Sequence, residues 1–167
     1  MTRPKAVLIG PPGSGKTTIG TALAGRLGLD FRDTDADVEA TAGKPVSDIF
    51  IDDGEPRFRE LERAAVRRAL AEHEGVLALG GGAVLAPDTQ QLLAGHTVIY
   101  LRVGLSDAVK RVGLGAARPL LVLNPRSRLR ELMAERAPIY ERLAAVTIAT
   151  DDREPAEIVD EIVEALP

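Results

Sequence analysis

Gly10-Pro11-Pro12-Gly13-Ser14-Gly15-Lys16-Thr17 stands between an apolar run, Lys5 to Ile9, and a segment of helical period, Lys16 to Leu27. The octapeptide is a full match to G-x-x-x-x-G-K-[ST] in the strand-to-helix setting the motif requires. Its glycines let successive backbone N–H groups turn inward around phosphate oxygens, and the helix starting near Gly15 adds the positive end of its dipole. Lys16 is expected to reach the β and γ phosphates of a nucleoside triphosphate, and the Thr17 hydroxyl to coordinate the Mg²⁺ that bridges them. A glycine-rich turn that merely joins strand to helix is the weaker reading, because the motif is complete and its context is right.

Outward from this loop, short apolar runs alternate with longer helical segments. Lys5–Ile9, Leu29–Arg32, Val76–Leu79, Thr97–Leu101 and Val146–Ala149 read as five strands lacking strict polar alternation, as parallel strands buried on both faces do. Between them, Lys16–Leu27, Arg57–Glu72, Leu105–Val112, Arg126–Leu143 and Pro155–Leu166 repeat their apolar residues at three and four. In the second of these, Phe58, Leu61, Ala65, Ala69 and Glu72 follow one stripe. Strand and helix in alternation throughout predict an α/β fold with a mainly parallel sheet.

The 167 residues suit one domain, 1–167, with no linker or repeat. A net charge of −4 argues against a general nucleic-acid or acidic-membrane binder, so an anionic partner must be held by local geometry. Absence of cysteine excludes disulfides, thiolate metal sites and a cysteine nucleophile. No apolar run approaches the roughly 18 residues of a membrane span, and the first residues lead directly into a strand, so a soluble, cytoplasmic protein is expected. Hydrophobic residues make up 45% of the chain but aromatics only 3%, which places Ala, Val, Leu and Ile in the core and makes base-stacking platforms a poor expectation. Arginine outnumbers lysine 17 to 4, a balance that permits bidentate recognition of anions and equally fits a GC-rich genome.

Asp33-Thr34-Asp35 ends the second strand. Residues two apart on a strand share a face, so both carboxylates can point beyond the strand's carboxyl end, where open parallel sheets bind ligands. An alcohol kinase needs a carboxylate that organises the metal and another that accepts the hydroxyl proton; Asp33 is assigned to Mg²⁺ and Asp35 to the acceptor hydroxyl. The competing reading is an acidic helix N-cap, since Ala36, Asp37, Val38 and Glu39 follow. Gly80-Gly81-Gly82 follows the third strand and forms a plausible substrate floor that backbone and ligand can share closely. Arg59, with Glu55, Arg63 and Glu62 at three- and four-residue spacing, reads by itself as a solvated ion-pair ladder, and Arg136 reads by itself as a solvated helix residue. The Gly113–Asn124 segment is the best loop candidate; with Arg111 beside it and Arg118-Pro119 within it, it can serve as a lid over phosphates. His73 and His96 are isolated and read as structural. A guanine site of N-K-x-D type is excluded because the single Asn124 precedes Pro125, and no D-x-x-G occurs. The third strand ends in glycine where a standard Walker-B strand would carry an acid, which leaves the metal contact to Asp33 and points to the small-molecule kinases.

This ordered set resembles shikimate kinase along essentially the whole chain. The matching pieces are Gly10 to Thr17; Asp33-Thr34-Asp35; Asp48-Ile49-Phe50 with Gly54-Glu55 and Phe58-Arg59; Gly80-Gly81-Gly82; Arg118-Pro119-Leu120-Leu121; and Arg136-Ala137-Pro138-Ile139-Tyr140. The resemblance implies a P-loop NTPase fold with a five-stranded parallel sheet in the order 2-3-1-4-5, flanked by helices, with a substrate-binding helical region about 35–60 and a lid about 113–124. It implies ATP-dependent phosphorylation of the 3-hydroxyl of shikimate, a step toward chorismate and the aromatic amino acids. It further implies substrate contacts at Asp35, Arg59, Gly81 and Arg136, to which the glycine floor adds Gly80 and Gly82, and places Arg118 on ATP as the lid arginine and Arg153 on the adenine side. With the phosphate-binding loop and the arginine beside the lid, ATP contacts are expected at Gly13, Ser14, Gly15, Lys16, Thr17, Thr18, Arg111, Arg118 and Arg153. Because shikimate carries a carboxylate, Arg59 and Arg136 acquire an anion to grip. A monomer is expected, with Mg²⁺ as cofactor and with shikimate and ATP as the small-molecule partners. Another small P-loop kinase, for gluconate or a nucleoside monophosphate, and a silent nucleotide-binding regulator remain the alternatives.

Overall fold

The computed structural model describes residues 3–112 and 125–167. The expected lid about 113–124, with Arg118, lies outside the described residues. In chain order the elements are β1 Ala6–Ile9, α1 Lys16–Leu27, β2 Phe31–Asp33, α2 Thr34–Ala42, α3 Val46–Asp53, α4 Glu55–Glu72 and β3 Val76–Ala78. After a short 3₁₀ turn, Ala83–Leu85, follow α5 Pro87–Leu93, β4 Val98–Arg102, α6 Leu105–Val112, α7 Pro125–Leu143, β5 Val146–Ala149 and α8 Pro155–Ala165.

All strand pairs are parallel, and the sheet runs β2-β3-β1-β4-β5. The apolar runs lack polar alternation because both faces of the sheet are covered. On β1, Ala6 and Leu8 face a core shared with Leu23 of α1 and Ile158 and Ile162 of α8. Val7 and Ile9 face the other core, with Val66 and Leu70 of α4 and Tyr140 of α7. A third cluster, Val38, Ile49, Phe58 and Ala65, joins α2, α3 and α4 into the expected helical region, beginning at Thr34.

Local chemistry sets the boundaries. Gly28 closes α1 in the left-handed region at φ 69°, its N–H returning to the helix's last carbonyls. Pro56 and Pro87 lie in the first turns of α4 and α5, where a missing N–H costs nothing. The second strand falls at Phe31–Asp33 rather than Leu29–Arg32, because Gly28 and Leu29 are used in ending α1. The stripe on α4 also differs from expectation: Glu72 is exposed, whereas Glu62 is buried among Phe58, Ala65 and Val66.

Gly75 marks where β2 and β3 draw together. Its Cβ would overlap the Asp30 carbonyl oxygen and stand 3.0 Å from that carbonyl's carbon. The same carbonyl accepts from Val76 N at 2.9 Å, so it cannot move aside without losing that bond. Gly75→Ala is expected to cost about 1–3 kcal/mol in urea denaturation through overpacking; an unchanged midpoint would show that the strands can separate freely.

Candidate active site

The loop after β1 and the N-terminus of α1 form a compact turn. Gly13 and Gly15 take φ values of 80° and 92°, which side-chain-bearing residues rarely adopt. Gly15 is the N-cap of α1 with no side-chain cap, so the first N–H groups of the helix face the loop. Lys16 Nζ donates to the carbonyls of Gly10 at 2.7 Å and Pro11 at 3.1 Å, which folds the ammonium back across its own loop. The hydroxyl-bearing Thr17 and Thr18 are exposed on the first turn of α1.

Asp33 and Asp35 do not lie on one strand as the sequence spacing implies. The strand ends at Asp33, which caps α2 by accepting from Asp35 N at 2.9 Å, and Asp35 belongs to the helix's first turn. Capping therefore falls to Asp33, and the two carboxylates diverge in task. The Thr34 hydroxyl between them, fully buried, accepts from Gly80 N at 3.3 Å and ties the start of α2 to the end of β3.

The three glycines after β3 are where the charged groups meet. A Cβ on Gly80 would stand 2.7 Å from Asp35 Oδ1 and 3.0 Å from Glu62 Oε2. A Cβ on Gly81 would stand 3.5 Å from an Arg136 Nη, and one on Gly82 would stand 2.6 Å from an Arg59 Nη. Asp35, Arg59 and Arg136 thus come from α2, α4 and α7 onto one backbone segment. None of the three glycines has a positive φ; at Gly80 and Gly82 it is the space that disfavours a side chain, while Gly81 is tight only against Pro12. Pro12 of the phosphate-binding loop is 3.3 Å from the Gly81 Cβ position, so this floor adjoins that loop.

Arg59 is not a solvated ladder residue. Its Nη1 donates to Glu62 Oε1 at 2.7 Å, and that glutamate is only 3% exposed. Burying a carboxylate costs several kcal/mol unless it is paired, and Arg59 supplies the pairing. Glu55 touches the same guanidinium at 3.3 Å from a half-exposed position. Glu62 is the residue that sequence reasoning missed as part of the site. Its place beside Phe58, Ala65 and Ala69 on the apolar stripe was the available signal.

Arg136 is likewise no surface residue, being 5% exposed with Nε lacking a hydrogen-bond partner among the described residues. Burial pushes its guanidinium below the ordinary value; the nearby Arg59 charge adds to this, while Tyr140 and Glu62 oppose it. The guanidinium remains cationic at neutral pH. No acidic side chain forms a salt bridge with Arg136 among the described residues, whereas Arg59 is paired with Glu62 and Glu55. Tyr140, one turn beyond Arg136, donates its hydroxyl to the Gly81 carbonyl at 2.6 Å and stacks on Tyr100 with centroids 5.0 Å apart.

On the far side of the loop, Ser14, Thr18, Ile19, Arg111, Arg153 and Ile158 line a cavity of about 200 Å³. Arg111 braces it, donating to Gly13 O at 3.1 Å and to the Thr150 carbonyl at 3.0 Å. Arg153 donates to Ala149 O at 2.9 Å and pairs with Glu161 at 2.7 Å, which holds it on the cavity wall. The walls are aliphatic and arginine, with no aromatic ring.

A family model described as shikimate kinase matches residues 12–167. A shikimate kinase from Salinispora arenicola is 62% identical over 159 residues, 95% of each chain. One from Thermobifida fusca is 58% identical over 166 residues, covering 99% of this chain and 96% of that protein. The solved structure of shikimate kinase from Acinetobacter baumannii in complex with shikimate superposes with a TM-score of 0.93 at 33% identity, over 99% of this chain and 93% of that one.

Removing the hydroxyl that holds the floor tests its rigidity. Tyr140→Phe keeps the stacked ring but leaves the buried Gly81 carbonyl without this donor, an expected loss of about 1–3 kcal/mol by urea denaturation. A variant as stable as the parent would mean that the carbonyl finds another donor.

Proposed function

The chain belongs to the shikimate kinase family, and on that premise we propose that it moves the γ-phosphoryl group of ATP onto the 3-hydroxyl of shikimate, giving shikimate 3-phosphate and ADP. The observation that carries this reading is the meeting of Arg59, Arg136 and Asp35 on Gly80–Gly82, next to the phosphate-binding loop. The guanidiniums at Gly81 and Gly82 suit the carboxylate of shikimate, which accepts their N–H bonds. Asp35, at Gly80, suits the hydroxyl that is to react. Gluconate also carries a carboxylate and hydroxyls, but its extended chain does not call for so rigid a floor.

The chemistry then divides among the residues. Asp35 accepts the proton of the 3-hydroxyl as the new O–P bond forms and the bond from the γ phosphorus to the bridging oxygen breaks, releasing ADP. Lys16 exchanges its two loop carbonyls for phosphate oxygens, and the N–H groups at the start of α1 donate to the same phosphates. Arg118 completes the neutralisation of the transferring group. The cavity between Ile19, Arg111, Arg153 and Ile158 takes the adenine by aliphatic contact and guanidinium stacking.

The donor set fits Mg²⁺. Among the described residues no group of three or more His, Asp or Glu could hold a metal ion, and Mg²⁺ asks for no such cage: it keeps several waters and takes one or two protein oxygens besides the phosphates. The exposed Thr17 hydroxyl and the Asp33 carboxylate would hold it. When bound, it supplies neutralisation of phosphate charge. No described helix is long and apolar enough to cross a membrane. We place the enzyme in the cytoplasm as a monomer, on the strength of its cysteine-free composition and single-domain size.

A coupled ADP-release assay offering shikimate, gluconate and nucleoside monophosphates separately decides the substrate, and turnover is expected with shikimate alone. Tight ATP binding with no turnover of any acceptor would favour the silent regulator. Asp35→Asn should retain ATP binding and lose at least about a hundredfold in kcat, the effect of removing a general base; a kcat near the parent's would remove Asp35 from that role.

A further inference from the structure

The catalytic groups gather where the strands end, but a second cavity lies where they begin. It measures about 490 Å³ and is walled by Leu70 and Ala71 of α4 and Leu92 of α5, with Arg3, Arg67 and His96 around it. Arg3 precedes β1 and His96 precedes β4, so this cavity is on the opposite edge of the sheet from Gly80–Gly82. Its size falls within the roughly 300–1,000 Å³ of small-molecule sites. Apolar walls, two guanidiniums and an imidazole with no acidic lining residue make an unusual surface for a protein with a net charge of −4.

Each polar group there has capacity to spare. Arg67 touches Asp88 at 3.6 Å, with both side chains at least half exposed, an ion pair too long and too wet to hold it firmly. Arg3 gives one amine to the Gly95 carbonyl and keeps the other donors of its fork. His96 lines the cavity as a half-buried ring whose Nδ1 is turned away from solvent with no hydrogen-bond partner among the described residues, so its other ring nitrogen, Nε2, is the one a ligand can meet. Burial, and then the Arg3 charge, hold this imidazole below its ordinary value, so it is neutral at pH 7.

We propose that this cavity is a second ligand site, for a small organic carboxylate with a flat apolar body and a hydroxyl. The carboxylate sits between Arg3 and Arg67, the body lies against Leu70 and Leu92, and the hydroxyl meets His96. Inorganic phosphate would satisfy the guanidiniums but leave the apolar walls uncovered.

The chain has only two histidines, which makes the proposal directly measurable. His73, whose Nε2 is engaged with the carbonyls of Asp30 at 3.1 Å and Val76 at 3.0 Å, serves as the internal reference for His96. The test is proton NMR of the two imidazole rings in the full-length protein, with the catalytic site filled by shikimate and ADP, titrated with 3-hydroxybenzoate. The His96 signals are expected to shift saturably with half-saturation at about 1 mM or below, while His73 stays in place. The neutral 3-hydroxybenzyl alcohol and inorganic phosphate should each bind at least about tenfold more weakly, as should 3-hydroxybenzoate to the Arg3→Ala, Arg67→Ala double variant, since each lacks charge-assisted bonds or apolar cover. Unchanged turnover in that variant shows that it is folded. A silent His96, equal binding of acid and alcohol, tighter binding of phosphate, or a double variant that titrates like the parent would overturn the proposal. None of these outcomes depends on the catalytic roles given to Asp35, Arg59 or Arg136.

Discussion

Where β3 ends, the chain carries no side chain for three residues, and the arrangement of everything around that gap follows. Asp35, Glu62 and Arg59 crowd the positions that Cβ atoms at Gly80 and Gly82 would claim, and Arg136 packs in ordinary contact beside Gly81. Their helices come from different parts of the chain and meet only because the sheet order brings β3 between β2 and β1. The Thr34 and Tyr140 hydroxyls pin this backbone from two sides, at Gly80 N and Gly81 O. Side-chain atoms thereby take positions at the carboxyl end of the sheet that backbone rigidity, not side-chain entropy, defines.

The electrostatics follow from the same crowding. Glu62 is buried but compensated by Arg59, so the pair is close to neutral, and the half-exposed Glu55 adds to it weakly. Arg136 is buried and forms no salt bridge with an acid among the described residues, which leaves its guanidinium available to an anion in a chain whose total is −4. An anion that enters recovers what the arginine lost in leaving water; a neutral polyol does not. The overall acidity therefore describes the outer helices, where Asp52, Asp53, Asp160 and Glu60 pair with exposed or half-exposed cations.

The sheet and its two helical layers were legible in the sequence because buried parallel strands and amphipathic helices have strong periods. The limits of α1, α6 and β5 coincide with the apolar pattern, and the phosphate-binding loop is legible from its motif alone. The seven residues of α5 are too few to display a period, and α2 buries only Thr34 and Val38, so neither shows in the apolar pattern; α2 is legible only through its acidic N-cap and the resemblance. The site was legible in its residue types but not in its contacts. Spacing on α4 shows that Arg59 and Glu62 can touch; it does not show that Glu62 faces inward, since that depends on where α2 and α3 close over the helix. Arg136 looks solvated in a charge-rich stretch for the same reason: it is buried against the glycine floor, which is distant in sequence.

Substrate recognition depends on the space that Gly82 leaves open, which the Arg59 guanidinium fills. Gly82 has φ −93°, which alanine accepts without strain, so Gly82→Ala acts on that volume and not on the backbone. Isothermal titration calorimetry of this variant with shikimate and, separately, with ADP is the direct measurement. A Cβ that would sit 2.6 Å from an Arg59 Nη should weaken shikimate binding at least about tenfold while ADP binds as in the parent. Undiminished shikimate affinity would contradict the account, because it would mean that the floor and the arginine beside it do not hold the substrate.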